Sequence, residues 1–111
     1  MNIPSDLLYT KDHEWIKIEN GIATVGITDY AQGELGDIIF IELPEIGDSV
    51  QAEDSIGTIE AVKTVADIYS PMNGEISEVN INLEDNPDNI NTDPYDSGWI
   101  IKLKTFNNND D

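Results

Sequence analysis

The chain has 111 residues, and its 23 aspartates and glutamates stand against 5 lysines and no arginine, for a formal net charge of −18. That length fits one domain with one modest core. So acidic a surface is repelled by nucleic acid and by anionic membranes, and it either attracts basic patches on partner proteins or serves solubility alone.

Residues 1–10 read as an irregular lead-in. His13 to Glu19 alternates as a strand, Asn20-Gly21 is a strong hairpin-turn pair, and Ile22 to Ile27 is the return strand. Thr28 has the character of an N-cap for a short helix, Asp29 to Leu35, which Gly36 ends. Asp37 to Leu43 carries Ile38-Ile39-Phe40-Ile41, a continuous apolar run that predicts burial on both faces. Pro44 and Gly47-Asp48 punctuate it, and Ser49 to Gln51 and Ser55 to Ala61 are short strands leading to Lys63.

Thr64 to Tyr69 returns from that lysine, and Ser70-Pro71 breaks the run. Asn73-Gly74 predicts another turn, followed by a strand over Glu75 to Ile81. Leu83 to Thr92 mixes helical and turn signals, with Pro87 suited to a first helical turn. Pro94 to Gly98 is loop, Trp99 to Leu103 is the last strand, and Asn107-Asn108-Asn109-Asp110-Asp111 reads as a frayed, disordered polar tail. Many short strands separated by turn residues indicate a mainly β sandwich or flattened barrel.

Catalytic chemistry has little to stand on. No cysteine is present, which excludes disulfides, thiolate metal sites and a cysteine nucleophile, so redox sulfur would have to come from a cofactor. His13 is the sole histidine, no serine sits in a nucleophile elbow, and no phosphate-binding glycine loop occurs. A lone histidine cannot make a zinc site, no EF-hand pattern is present, and Glu84, Asp85 and Asp88 read as a solvated face. No apolar run is long enough to span a bilayer, and the N-terminus lacks a signal-peptide pattern.

Lys63 is the residue that stands out. It lies between two runs rich in β-branched residues, with small or apolar neighbours Ala61, Val62, Thr64 and Val65, and no other cation falls between Lys17 and Lys102. A lysine on a hairpin tip is open to covalent modification from several directions, although most lysines with such neighbours are ordinary surface residues.

Glu60-Ala61-Val62-Lys63, followed by Asp67-Ile68-Tyr69-Ser70-Pro71-Met72-Asn73-Gly74-Glu75-Ile76, resembles the lipoyl-lysine hairpin of the glycine cleavage H-protein family. Biotin-carrying domains place the lysine between methionines, whereas Val62 and Thr64 flank it here, and lipoyl domains of 2-oxo acid dehydrogenases usually carry an aspartate where Val62 stands. Tyr9-Thr10-Lys11-Asp12-His13-Glu14-Trp15 resembles that family's entry segment. Val25-Gly26-Ile27-Thr28-Asp29-Tyr30-Ala31-Gln32, Leu35-Gly36-Asp37-Ile38, Leu43-Pro44 and Gly47 resemble its middle. Asn91-Thr92-Asp93-Pro94-Tyr95 and Gly98-Trp99-Ile100 resemble its late loop and last strand. The likeness spans about residues 7–104. The family continues past its last strand into an acidic helix with Leu and Tyr, where this chain has its Asn-Asp run.

The resemblance implies a barrel-sandwich hybrid, a lipoyl-domain-like flattened barrel of two sheets with short helices. It implies a single lipoyl-carrier domain over 1–106 with a tail over 107–111, a monomer, and lipoic acid attached to Lys63. The implied role is that of a non-catalytic carrier. It takes an aminomethyl group of glycine from glycine decarboxylase to aminomethyltransferase and is reoxidised by dihydrolipoyl dehydrogenase, after loading by a lipoate ligase or lipoyltransferase. An alternative is an H-like protein that relays lipoyl groups to other lipoyl domains.

By motif match, Glu14 and Asp67 are either carboxylates that hold the loaded arm or plain surface acids. Glu60 either guides lipoylation or keeps the turn soluble, and Trp15 and Trp99 read as core. The expected location is cytoplasmic, or the mitochondrial matrix if a transit peptide has been removed.

Overall fold

The computed structural model describes residues 7–11 and 13–105. The expected tail at 107–111, most of the lead-in and Asp12 therefore lie outside the described residues.

Leu8–Tyr9 (β1), Glu14–Glu19 (β2) and Ile22–Ile27 (β3) open the chain as an antiparallel meander. The turn between β2 and β3 is made by Asn20 (φ 53) and Gly21 (φ 80), the positive pair that a two-residue hairpin with right-handed twist demands. Part of the lead-in is thus a strand, because Leu8 and Tyr9 pair with Ile16 and Trp15.

Helix α1 (Asp29–Leu35) forms as its residues predict. The Thr28 hydroxyl accepts from the Ala31 N–H at 3.1 Å, and the Gly36 N–H closes the last turn on the Gln32 carbonyl at 3.0 Å.

The chain continues through β4 (Ile38–Glu42), β5 (Ser49–Val50), β6 (Ser55–Ala61), β7 (Val65–Tyr69) and β8 (Gly74–Val79). Two helical turns, α2 (Asn82–Asp85) and α3 (Asn89–Thr92), then precede β9 (Ile101–Thr105). Pro87 stands just before the α3 cap, Asp88, and not inside a helical turn. The last strand starts later than predicted because the Ile100 N–H is drawn to the Val25 carbonyl before regular pairing with β3 begins.

Strands β1-β2-β3-β9-β8-β5 form a six-stranded sheet and β4-β6-β7 a three-stranded one. Ala23, Val25, Ile76, Ile101 and Leu103 from the larger sheet meet Ile38, Ile41, Ile59 and Ile68 from the smaller in one buried cluster. Leu83 and Ile90, from the two helical turns, are also fully buried. This is the expected flattened barrel-sandwich of two sheets with short helices.

One expectation fails at β4. The run Ile38-Ile39-Phe40-Ile41 is not buried on both faces: Ile39 is 57% exposed and Phe40 51%. Ile38 pairs with Ala61 and Phe40 with Glu60, so Ile39 is the extra residue of a β-bulge. Strand β4 is also an edge of the smaller sheet, and only Ile38 and Ile41 reach the core.

Candidate functional site

Strands β6 and β7 pair from Ser55 with Tyr69 to Glu60 with Val65, and the tip beyond them is Val62-Lys63. The Ala61 N–H donates to the Thr64 carbonyl at 2.8 Å, which closes the turn. Neither Val62 nor Lys63 has positive φ, so the tip forms without the glycine or asparagine that marks most two-residue hairpins. Tertiary support takes over that role: the Val62 N–H donates to the Asp37 carbonyl at 2.9 Å, tying the tip to the segment between α1 and β4.

Lys63 is exposed, and its stem lies against Gly36. A β-carbon built at Gly36 would stand 3.0 Å from Lys63 Cε and 3.6 Å from Cδ and Cγ. Gly36 has φ 85 and ψ −158, a conformation that only glycine adopts at little cost. It is therefore both the helix stop and the floor beneath the lysine. The ion pairs among the described residues take Lys17 (to Glu19) and Lys102 (to Glu78), not Lys63.

The floor is itself clamped. Asn91 Oδ1 accepts from the Ile38 N–H at 2.9 Å, and its Nδ2 donates to the Gly36 carbonyl at 2.8 Å and to Gln32 Oε1 at 2.9 Å. One side chain thus fixes both sides of residues 36–38. The loop that carries Asn91 is anchored in turn. Trp15 Nε1 donates to the Pro94 carbonyl at 2.9 Å, and the Tyr95 hydroxyl accepts from the Asp29 N–H at 2.9 Å. Trp15 can cross its partner strand only because Gly26 lies opposite, where a β-carbon would meet the indole ring at 2.6 Å.

Trp15 is core, as expected, at 2% exposure. Trp99 is only half-buried, with the Lys102 ammonium 5.2 Å from its ring centroid. His13, whose ring sits 4.7 Å from that of Tyr30, has positive φ and bridges the chain to Thr28, whose N–H donates to the His13 carbonyl.

The acids singled out in the sequence fall into different settings. Glu14 is not a surface carboxylate but is 3% exposed. Its Oε2 accepts from the Tyr69 N–H at 2.8 Å and its Oε1 from the Thr10 hydroxyl at 3.1 Å. It hooks the end of edge strand β7 onto β2, satisfying a ladder donor that has no strand beside it.

Asp67 is exposed, two residues nearer the tip on β7, and accepts from the Thr58 hydroxyl at 3.3 Å. Glu60 is exposed in the last pair before the tip. From Lys63 at the tip the chain therefore passes Asp67 and then the Glu14–Tyr69 contact along β7, and at about 3.3 Å per residue Val65 to Tyr69 spans roughly 13 Å.

A profile of the Glycine cleavage H-protein family matches residues 7–111. The chain belongs to that family. A glycine cleavage system H protein of Listeria innocua is 59% identical over 103 residues, covering 93% of this chain and 82% of the relative. One from Rubrobacter xylanophilus is 58% identical over 102 residues, covering 92% and 81%. The crystal structure of a glycine cleavage system H protein from Mycobacterium marinum superposes with a TM-score of 0.90 at 44% identity, covering 94% of this chain and 87% of that one.

Several residues important to the site carried no role in the sequence reading. Asn91, Tyr95 and Gly26 were legible only as matching motif letters, and Gly36 only as one of those letters and as a helix stop. Among the described residues no group of histidines, cysteines and acids could hold a metal, and no helix is long and apolar enough to cross a membrane.

Proposed function

We propose that the protein is the lipoyl-carrying component of the glycine cleavage system, with lipoate joined by an amide to Lys63. The observation that carries this reading is the presentation of Lys63: an exposed amine on a hairpin tip whose backbone is tied down from below. The residues fit such a group. Gly36 leaves room along the lysine stem, and the Asp37 carbonyl and Asn91 hold the seat of the tip in place.

When bound, the lipoyl group supplies a dithiolane that takes up a one-carbon amine unit and cycles between disulfide and dithiol. The chain's own part is to present, orient and shield. Lys63 carries the attachment, and Asp67, with the Glu14 carboxylate bound from β2 to the far end of β7 at Tyr69, supplies negative potential that favours a cationic amine held alongside β7. Glu60, in the last pair before the tip, is a recognition residue for the loading enzyme. The partners in this reading are glycine decarboxylase, aminomethyltransferase and dihydrolipoyl dehydrogenase, with a lipoate ligase or lipoyltransferase loading Lys63. A cytoplasmic location goes with the bacterial relatives.

The test is reconstituted glycine decarboxylation with the loaded protein. Wild type should stimulate it, whereas Lys63→Arg should give none with an unchanged circular dichroism spectrum. A loaded wild type that fails to stimulate decarboxylation, yet donates its lipoyl group to another acceptor domain, would be a relay instead.

A further inference from the structure

The outer face of the β4-β6-β7 sheet is not the solvated surface expected of a chain this acidic. Phe40, Glu60 and Val65 are direct cross-strand neighbours, so their side chains stand in one row on one face, next to the tip. Phe40 is 51% and Val65 57% exposed, and Val62 at the tip and Ile39 in the bulge are more open or equally so, at 69% and 57%. Four exposed apolar side chains gathered around one hairpin tip mark a contact surface, unlike apolar residues scattered singly. The next row along the same face is Glu42, Thr58 and Asp67. The face is thus an apolar strip interrupted by Glu60 and backed by Glu42 and Asp67.

We infer that this face docks the enzyme that acylates Lys63, and that Phe40 and Val65 are its apolar anchors. This rests on the proposed lipoylation of Lys63. The reach of a bare lysine selects the occupant. Before loading, the amine extends no farther than its own side chain, so an acylating active site must close onto the surface directly around the tip. Enzymes that act on a loaded arm can approach from farther away.

Charge selects the partner's chemistry: an apolar surface with a lysine or arginine set to meet Glu60 between the two anchors, and further cations facing Glu42 and Asp67. The bulge at Ile39 gives β4 its part. It leaves both Ile39 and Phe40 exposed where a regular strand would turn one of them inward.

The experiment is steady-state lipoylation of the unmodified full chain by a lipoate ligase with lipoate and ATP, followed by intact mass. Variants are Phe40→Ala, Val65→Thr, Glu42→Lys and, as a control on the larger sheet, Ile18→Thr, which removes an apolar side chain that is 50% exposed. Truncating an apolar anchor should raise KM for the protein substrate about tenfold with kcat unchanged. Glu42→Lys should raise KM and flatten its dependence on salt, and Ile18→Thr should match wild type.

An unchanged KM in Phe40→Ala and Val65→Thr, with wild type loaded normally, overturns the docking face but leaves Lys63 as the site. Equal KM rises in Ile18→Thr overturn it too. So does a wild-type dimer that Phe40→Ala converts to monomer, which would assign the face to a second copy. No mass gain on wild type removes both this inference and the reading of Lys63.

Discussion

Gly36 shows how one residue serves two requirements. Its φ of 85 and ψ of −158 end α1, and its missing side chain admits the stem of Lys63. Gly36→Ala should lower stability by about 1–3 kcal/mol in urea unfolding, from backbone strain alone, and should also push the lysine stem off its floor. Glu14 and Asp67 looked interchangeable as sequence letters, but their surroundings separate them. Glu14→Ala removes the acceptor of the Tyr69 N–H and one partner of the Thr10 hydroxyl, so about 1–3 kcal/mol should be lost. Asp67→Ala removes one long hydrogen bond on an exposed face and should stay within about 0.5 kcal/mol. Equal costs in the two variants would contradict the assignment of Glu14 as the hook on β7.

Among the elements, those that rest on local chemistry were legible. Thr28 and Gly36 bound α1 as their caps predict, and Asn20-Gly21 makes its turn. The β4 run was misread because periodicity cannot reveal a bulge: the choice to expose Ile39 and Phe40 is made by register against β6. The clamp beneath the lysine hairpin was equally hidden. Asn91 meets Ile38 across 53 positions of sequence, and Trp15 meets Pro94 across 79. Such partners follow from the closed sheets, not from any local pattern. Asn91→Ala should cost about 1–3 kcal/mol and, because it loosens residues 36–38, should speed hydrogen exchange at the Val62 amide, which donates to the Asp37 carbonyl. Asn91→Asp keeps the acceptor for Ile38 but loses both donors, and should recover only part of that protection.

At the scale of the molecule, two sheets and short helical turns present one lysine at a hairpin tip in a chain of net charge −18. The mainly β class and the lysine hairpin were both readable from the chain, the first from turn spacing and the second from the motif around Glu60-Ala61-Val62-Lys63. What the sequence withheld was the direction each exposed residue faces, and with it the apolar strip beside the tip. If the proposed function holds, Lys63 alone takes the lipoyl group. Incubation with lipoate, ATP and a lipoate ligase, followed by intact-mass measurement and peptide mapping, tests it most directly. One added lipoyl group on Lys63, absent in Lys63→Ala, is the predicted result; addition at Lys11, Lys17, Lys102 or Lys104 would contradict it.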